Sequence, residues 1–212
     1  VSSSFCQTEP NVLDGGNNLE PYIALVTSLR AAGAPIDGVG VQAHMTPATN
    51  DGPTVYARLD RLAVLGLPIW VTELDITASS EATRAAELEE FLRAAFSHPK
   101  VDGIILWGFW AGCHWRGPEA ALWDADWRLN AAGERWLRLT QQEWSTTVTT
   151  VVPGDGAVEF RGFHGEYVAE VEWGDGTQRR VPFLLPKGSG EATVRLAISD
   201  RPDDGGSGLL VR

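Results

Sequence analysis

Apolar positions along the chain switch between two periods. Leu19, Tyr22, Ile23, Val26 and Leu29 recur at helical spacing and the run stops at AAGAP, which predicts an amphipathic helix closed by glycine and proline. IDGVGVQAHM, residues 36–45, then reads as a short β-rich run. Val55, Leu59, Leu62 and Ala63 restore the helical period over 54–65, up to Gly66. LPIWVTELDI (67–76) is strand-like again, and residues 81–96 place Leu88, Phe91, Leu92, Ala95 and Phe96 on one helical face. VDGIILWGFW (101–110) is a further apolar strand, and AAGERWLRLTQQEW (131–144) a last helix.

Strands that are apolar throughout, alternating with amphipathic helices, imply a parallel sheet covered on both faces. In such folds the functional side chains gather where the strands end at their carboxyl termini. Polar and aromatic residues fall there each time: Gln42 and His44 on one strand, Glu73 and Asp75 on the next, and Trp107 opening WGFWAGCHWR on the third. One strand-end acid ordinarily caps a loop. Glu73 and Asp75 stand at i and i+2, so both point to one side of their strand, toward a neighbour that ends in QAH. A carboxylate held on such a rim serves as nucleophile, general base or electrostatic stabiliser, and Asp75 is placed to hold the His44 imidazole.

Beyond Trp144 the pattern changes. Residues 145–157 read as a Ser/Thr/Gly linker. The runs EFRGFHGEYVAEVEW, RRVPFLL and EATVRLAI, with a GDGT turn between the first two, predict a small β-sandwich-like module over 158–212. RPDDGGSG reads as a turn or a disordered end, and Trp173, the module's only Trp, favours a structural cap over a sugar-binding role.

Charge narrows the partners. The formal net charge of −11 opposes nucleic acid and anionic lipid, which need a basic face, and no apolar stretch reaches the length of a membrane span. Five of the nine tryptophans lie between 107 and 127, beside the candidate acids, where they suit the flat faces of sugar rings. His44, His98, His114 and His164 show no metal-ligand spacing, so neither a metal nor another cofactor is expected. Cys6 and Cys113 define no disulfide framework and are expected to be small buried side chains.

These residues carry a specific resemblance. WVTELDI resembles the nucleophile strand of glycoside hydrolase family 10, the endo-β-1,4-xylanases; IDGVGVQAHM is similar to its preceding strand, and GIILWGFWAGCHWR with AALWDADWRLNAAGERWLRL to its last strand and closing helix. The motifs occur in the family's order over residues 5–144, and FRGFHGEYVAEVEW resembles a small β-module that follows the barrel in some members. The resemblance implies an α/β fold, the carboxyl-terminal half (about strands 5–8) of a (β/α)8 barrel over residues 1–144, followed by the all-β module. It implies Glu73 as the catalytic nucleophile, oriented by His44 and Asp75, with Gln42, Trp107, Trp115 and Arg116 around the substrate. The implied substrate is xylan or a related β-1,4-linked polysaccharide, and the implied parent is a secreted monomer.

Retaining hydrolysis needs a second carboxyl group, which the family carries in an Asn-Glu motif ending its fourth strand. No Asn-Glu pair occurs in the sequence, and Glu9 in FCQTEPNVL aligns with a rim acid of the fifth strand instead. The chain is therefore expected to be part of a larger enzyme and inactive alone. Two alternatives stay open: a carbohydrate-binding protein without catalysis, and a retaining glycosidase acting on another β-1,4-glycan.

Overall fold

A computed structural model describes residues 6–10, 12–46, 51–154, 156–188 and 208–211, with Cys6–Glu9 and Gly208–Val211 as backbone alone. Two compact units divide at Leu137/Arg138.

The first unit follows the alternation of the sequence. Strand β1 (Cys6–Glu9) leads to helix α1 (Leu19–Ala31), β2 (Gly38–Met45), α2 (Gly52–Leu62), β3 (Ile69–Ile76), α3 (Glu81–Ser97) and β4 (Val101–Leu106), and α4 starts at Ala131. The four strands are parallel and lie in the order β1-β2-β3-β4. A doubly wound sheet reverses its strand order at a switch point, whereas a barrel wall adds each new strand beside the last; this sheet does the latter.

Local signals set the helix limits. Asp51 Oδ1 accepts the Thr54 N–H at 2.9 Å and Ser80 Oγ accepts that of Thr83 at 3.1 Å, each capping a helix start. Gly66, at φ +72°, ends the turn that follows α2 in the left-handed conformation a side chain disfavours. Long side chains then tie layers together: the Tyr22 hydroxyl donates to Gly40 O at 3.0 Å, and Arg58 donates to the carbonyls of Val12 and Gly16 at 2.7 and 2.6 Å.

One irregularity decides which way the strand ends face. On β2, Val39, Val41, Ala43 and Met45 are fully buried, so Gln42 and His44 point to the opposite face. On β3, Ile69 and Val71 share the buried face before Thr72, but Leu74 and Ile76 take it afterwards. The parity flips because β3 carries an extra residue there. Val41 pairs with Val71 and Gln42 with Glu73, while Val71 and Leu74 pair with Ile104 and Leu106 of β4. This is a β-bulge, the device that re-aims side chains beside functional sites. Without it, alternation would put Glu73 and Asp75 on the face of Ile69 and Val71.

The strand expected over 101–110 stops at Leu106; Gly108, at φ +99°, turns the chain, and Trp107–Trp110 belong to the following loop. Cys113 is exposed, contrary to expectation, because it lies in that loop; the side chain of Cys6 lies outside the described residues.

The second unit holds a four-stranded antiparallel sheet in the order β5-β8-β6-β7, built from Val148–Val151, Gly208–Val211, Gly165–Glu172 and Gln178–Leu185. Residues 148–151 fall in the expected linker, yet they pair with 208–211 as a strand. β6 and β7 form the hairpin announced by GDGT, closed by the Trp173 N–H to Thr177 O bond at 2.9 Å. Tyr167, Ala169 and Val171 are its buried face, and the Tyr167 and Phe183 rings stack at 5.4 Å. Among the described residues the module is this one sheet; the run 191–198 and most of RPDDGGSG lie outside them.

Candidate active site

The site grows from the ends of β2 and β3. Register brings Gln42 beside Glu73 and His44 beside Asp75. Gln42 Nε2 donates to Glu73 Oε1 at 3.2 Å, and His44 Nε2 faces Glu73 Oε2 at 3.3 Å. The other imidazole nitrogen, Nδ1, lies 3.0 Å from Asp75 Oδ2. Both carboxylates thus belong to one network, joined through a histidine rather than to each other. Asp75 is the buried end of it, with a side chain 1% exposed against 16% for Glu73.

A buried carboxylate costs several kcal/mol unless it is paired and its lone pairs are filled. Asp75 meets that demand from the loop after β4. Trp115 Nε1 donates to Oδ2 at 2.7 Å and Arg116 Nη1 to Oδ1 at 2.6 Å. Arg116 is itself fixed by Thr77 Oγ1, at 2.8 Å from Nη2, and by Met45 O at 3.3 Å from Nη1. The Trp115 ring meets the His44 imidazole edge-on, at 4.8 Å and 69°, and leaves 60% of the residue exposed. Asp75 is thereby rigid, and through His44 it sets the position of Glu73.

His114 stands behind Arg116. It is buried, and its Nδ1 accepts the Arg116 backbone N–H at 3.2 Å, which leaves the imidazole proton on Nε2. Burial pushes this imidazole below its ordinary value of 6.5, against the opposing pull of Asp75.

Of the residues singled out in the sequence, Glu73, His44, Asp75, Gln42, Trp115 and Arg116 form this one cluster. Gln42 bonds directly to Glu73, and Trp115 is an anchor for Asp75 as well as an exposed aromatic wall. Trp107 follows β4, its N–H donates to Leu74 O at 2.9 Å, and its ring is exposed at the same strand ends. The sequence did not single out Thr72, Thr77 or His114. Only the threonine within LDIT, next to the carboxylates, carries a readable signal; the bulge and the His114 contact need coordinates. Among the described residues no group of three or more His, Cys, Asp or Glu is placed to hold a metal ion.

The model of glycosyl hydrolase family 10 matches residues 11–136, more than half of the chain. The chain belongs to glycosyl hydrolase family 10. The anti-sigma-I factor RsgI6 of Acetivibrio thermocellus is 42% identical over 176 residues, covering 82% of this chain and 23% of that protein. Endo-1,4-beta-xylanase 2 of Arabidopsis thaliana is 40% identical over 181 residues, 85% of this chain and 17% of that one. Matches of this length run into the second unit. In fold, the chain resembles xylanase 10B of Thermotoga petrophila, solved with xylobiose: TM-score 0.58, 20% identity, 65% of this chain and 46% of that one. The chain spans about a fifth of the length of these curated relatives and under half of the solved family 10 barrel.

Proposed function

We propose that the chain supplies the nucleophile half of a retaining glycoside hydrolase that cleaves internal β-1,4-xylosidic bonds of xylan. The observation that carries this reading is the Gln42–Glu73–His44–Asp75 network, which holds one carboxylate at the mouth of a rim and locks the other behind it. Glu73 attacks the anomeric carbon as the glycosidic C–O bond breaks, and the leaving oxygen takes a proton from a second carboxyl group about 5–5.5 Å from the first. Water then cleaves the glycosyl ester, giving its proton to the same second group, now a base. That group belongs to the part of the barrel that completes these four strands, so the chain alone does not turn over xylan. Asp75 and His44 keep Glu73 aligned, and Trp107 and Trp115 flank the sugar.

Xylan as substrate is supported by the xylanase relatives, and a polymeric substrate fits an enzyme working outside the cell. In the completed barrel, Glu73→Gln keeps the shape of the side chain but removes its nucleophilicity. Xylan hydrolysis should fall roughly a thousandfold or more while xylan binding persists. Undiminished hydrolysis removes Glu73 from the nucleophile role. The exposed Trp107 and Trp115 rings also suit one second reading, in which the completed barrel binds glycan without cleaving it; a completed barrel that binds xylan and leaves it intact establishes that reading.

A further inference from the structure

Past the Asp75 anchor, the chain makes a tight hairpin whose strands meet at Trp123 and Leu129. Asp124 O accepts the Trp127 N–H at 2.9 Å, and Asp124 N–H donates to Arg128 O at 2.8 Å. A turn of this kind finishes with one residue in the left-handed conformation, the place glycine takes. Here the residue is Trp127, at φ +66°, the only non-glycine with a positive φ among the described residues. A bulky side chain pays strain to sit there, and packing offsets little of it, since 57% of Trp127 remains exposed.

What Trp127 gains is a partner ring. It stacks on Trp110 at 4.9 Å and 10°, nearly parallel. Trp110 is held in turn by its Nε1–H, which donates to Ala125 O at 3.2 Å. Space for that ring exists because residue 112 is glycine: a Cβ there would stand 2.3 Å from the indole. Strain, a cleared space and an orienting hydrogen bond together hold the outer face of the Trp127 ring at the surface, with the half-buried Trp110 ring beneath it.

The surroundings select the ligand. Arg128 Nε pairs with Asp126 Oδ2 at 2.8 Å, so the edge of the platform carries carboxylates and one guanidinium, all exposed. Stacked nucleobases need a cationic groove for their phosphates, which this edge and the chain's charge of −11 oppose. Pyranose rings offer an apolar face for the indoles and neutral hydroxyls for an edge of mixed charge. We infer that Trp127, backed by the stacked Trp110, forms a further glycan-binding platform, which takes the flat face of a neutral β-1,4-linked sugar chain. The choice of that sugar class rests on the hydrolase reading above; the platform itself rests on the hairpin.

Gel retardation of the full chain by soluble xylan, by mixed-linkage β-glucan and in a gel without polysaccharide tests this, alongside the melting temperature. Trp127→Gly relieves the strained backbone, so its melting temperature should be unchanged or higher while retardation weakens about tenfold. Trp110→Ala should weaken it likewise, and Trp127→Phe, which keeps a ring, should retain most of it. Retardation by β-glucan alone, lost in Trp127→Gly, keeps the platform and overturns xylan as the polymer. Equal retardation of the chain and Trp127→Gly, or no retardation by either polysaccharide, overturns the platform.

Discussion

Thr72 is the residue that β3 carries in excess of its neighbours, and its hydroxyl donates to the carbonyl of Val41, at the register break on β2, at 3.1 Å. That bond closes the bulge that moves Glu73 from the buried face to the face of Gln42 and His44. Thr72→Val removes it while keeping shape, and should cost roughly 1 kcal/mol, read by chemical denaturation. Deleting Thr72 restores plain alternation and drives both carboxylates toward the buried face. That variant should not fold, or should fold with the network broken.

Asp75 and Arg116 are a largely buried pair, and the cost of breaking it is asymmetric. Asp75→Ala leaves the guanidinium unpaired and should destabilise the chain by about 3 kcal/mol. Arg116→Lys keeps a charge but lacks the fork that serves Asp75, Thr77 and Met45 O together; it should cost less, roughly 1–2 kcal/mol. Denaturation midpoints of the two variants give the order, and an equal or reversed cost contradicts this account of the anchor.

Acid should weaken the same corner through His114. Burial lowers its folded-state value below 6.5, so the unfolded chain takes the proton first. The contribution is complete above that value and is lost as pH falls through it toward the folded value. Protonation also removes the Nδ1 lone pair that accepts the Arg116 N–H. Melting temperature should therefore drop as pH falls below 6.5, and His114→Gln should flatten that slope. A slope unchanged in His114→Gln removes His114 as its source.

How far the sequence carried this picture follows from the range of each signal. The alternation of apolar strands with amphipathic helices is local and repeated, so β2, β3 and α1–α3 emerge within a few residues of their limits. The shared direction of Glu73 and Asp75 follows from their spacing. Which face they share does not, because the bulge at Thr72 depends on pairing with two other strands. WGFW reads as strand because it is apolar, but Gly108 turns the chain first. Val148–Val151 look like linker by composition; their partners stand some sixty residues further on, beyond the reach of any local window. Trp127 is legible only as one tryptophan among nine until its φ is known.

Covalent trapping identifies the nucleophile, which is expected to be Glu73. A 2-deoxy-2-fluoro-β-xylobioside with a dinitrophenolate leaving group needs little acid assistance, and the fluorine slows breakdown of the glycosyl ester. Incubated with the completed barrel and followed by peptide mass mapping, it should add one fluoroxylobiosyl group to the peptide holding Glu73, and none in Glu73→Gln. A label on Asp75 or any other carboxylate, or an enzyme that turns over xylan yet is never labelled, would contradict the account.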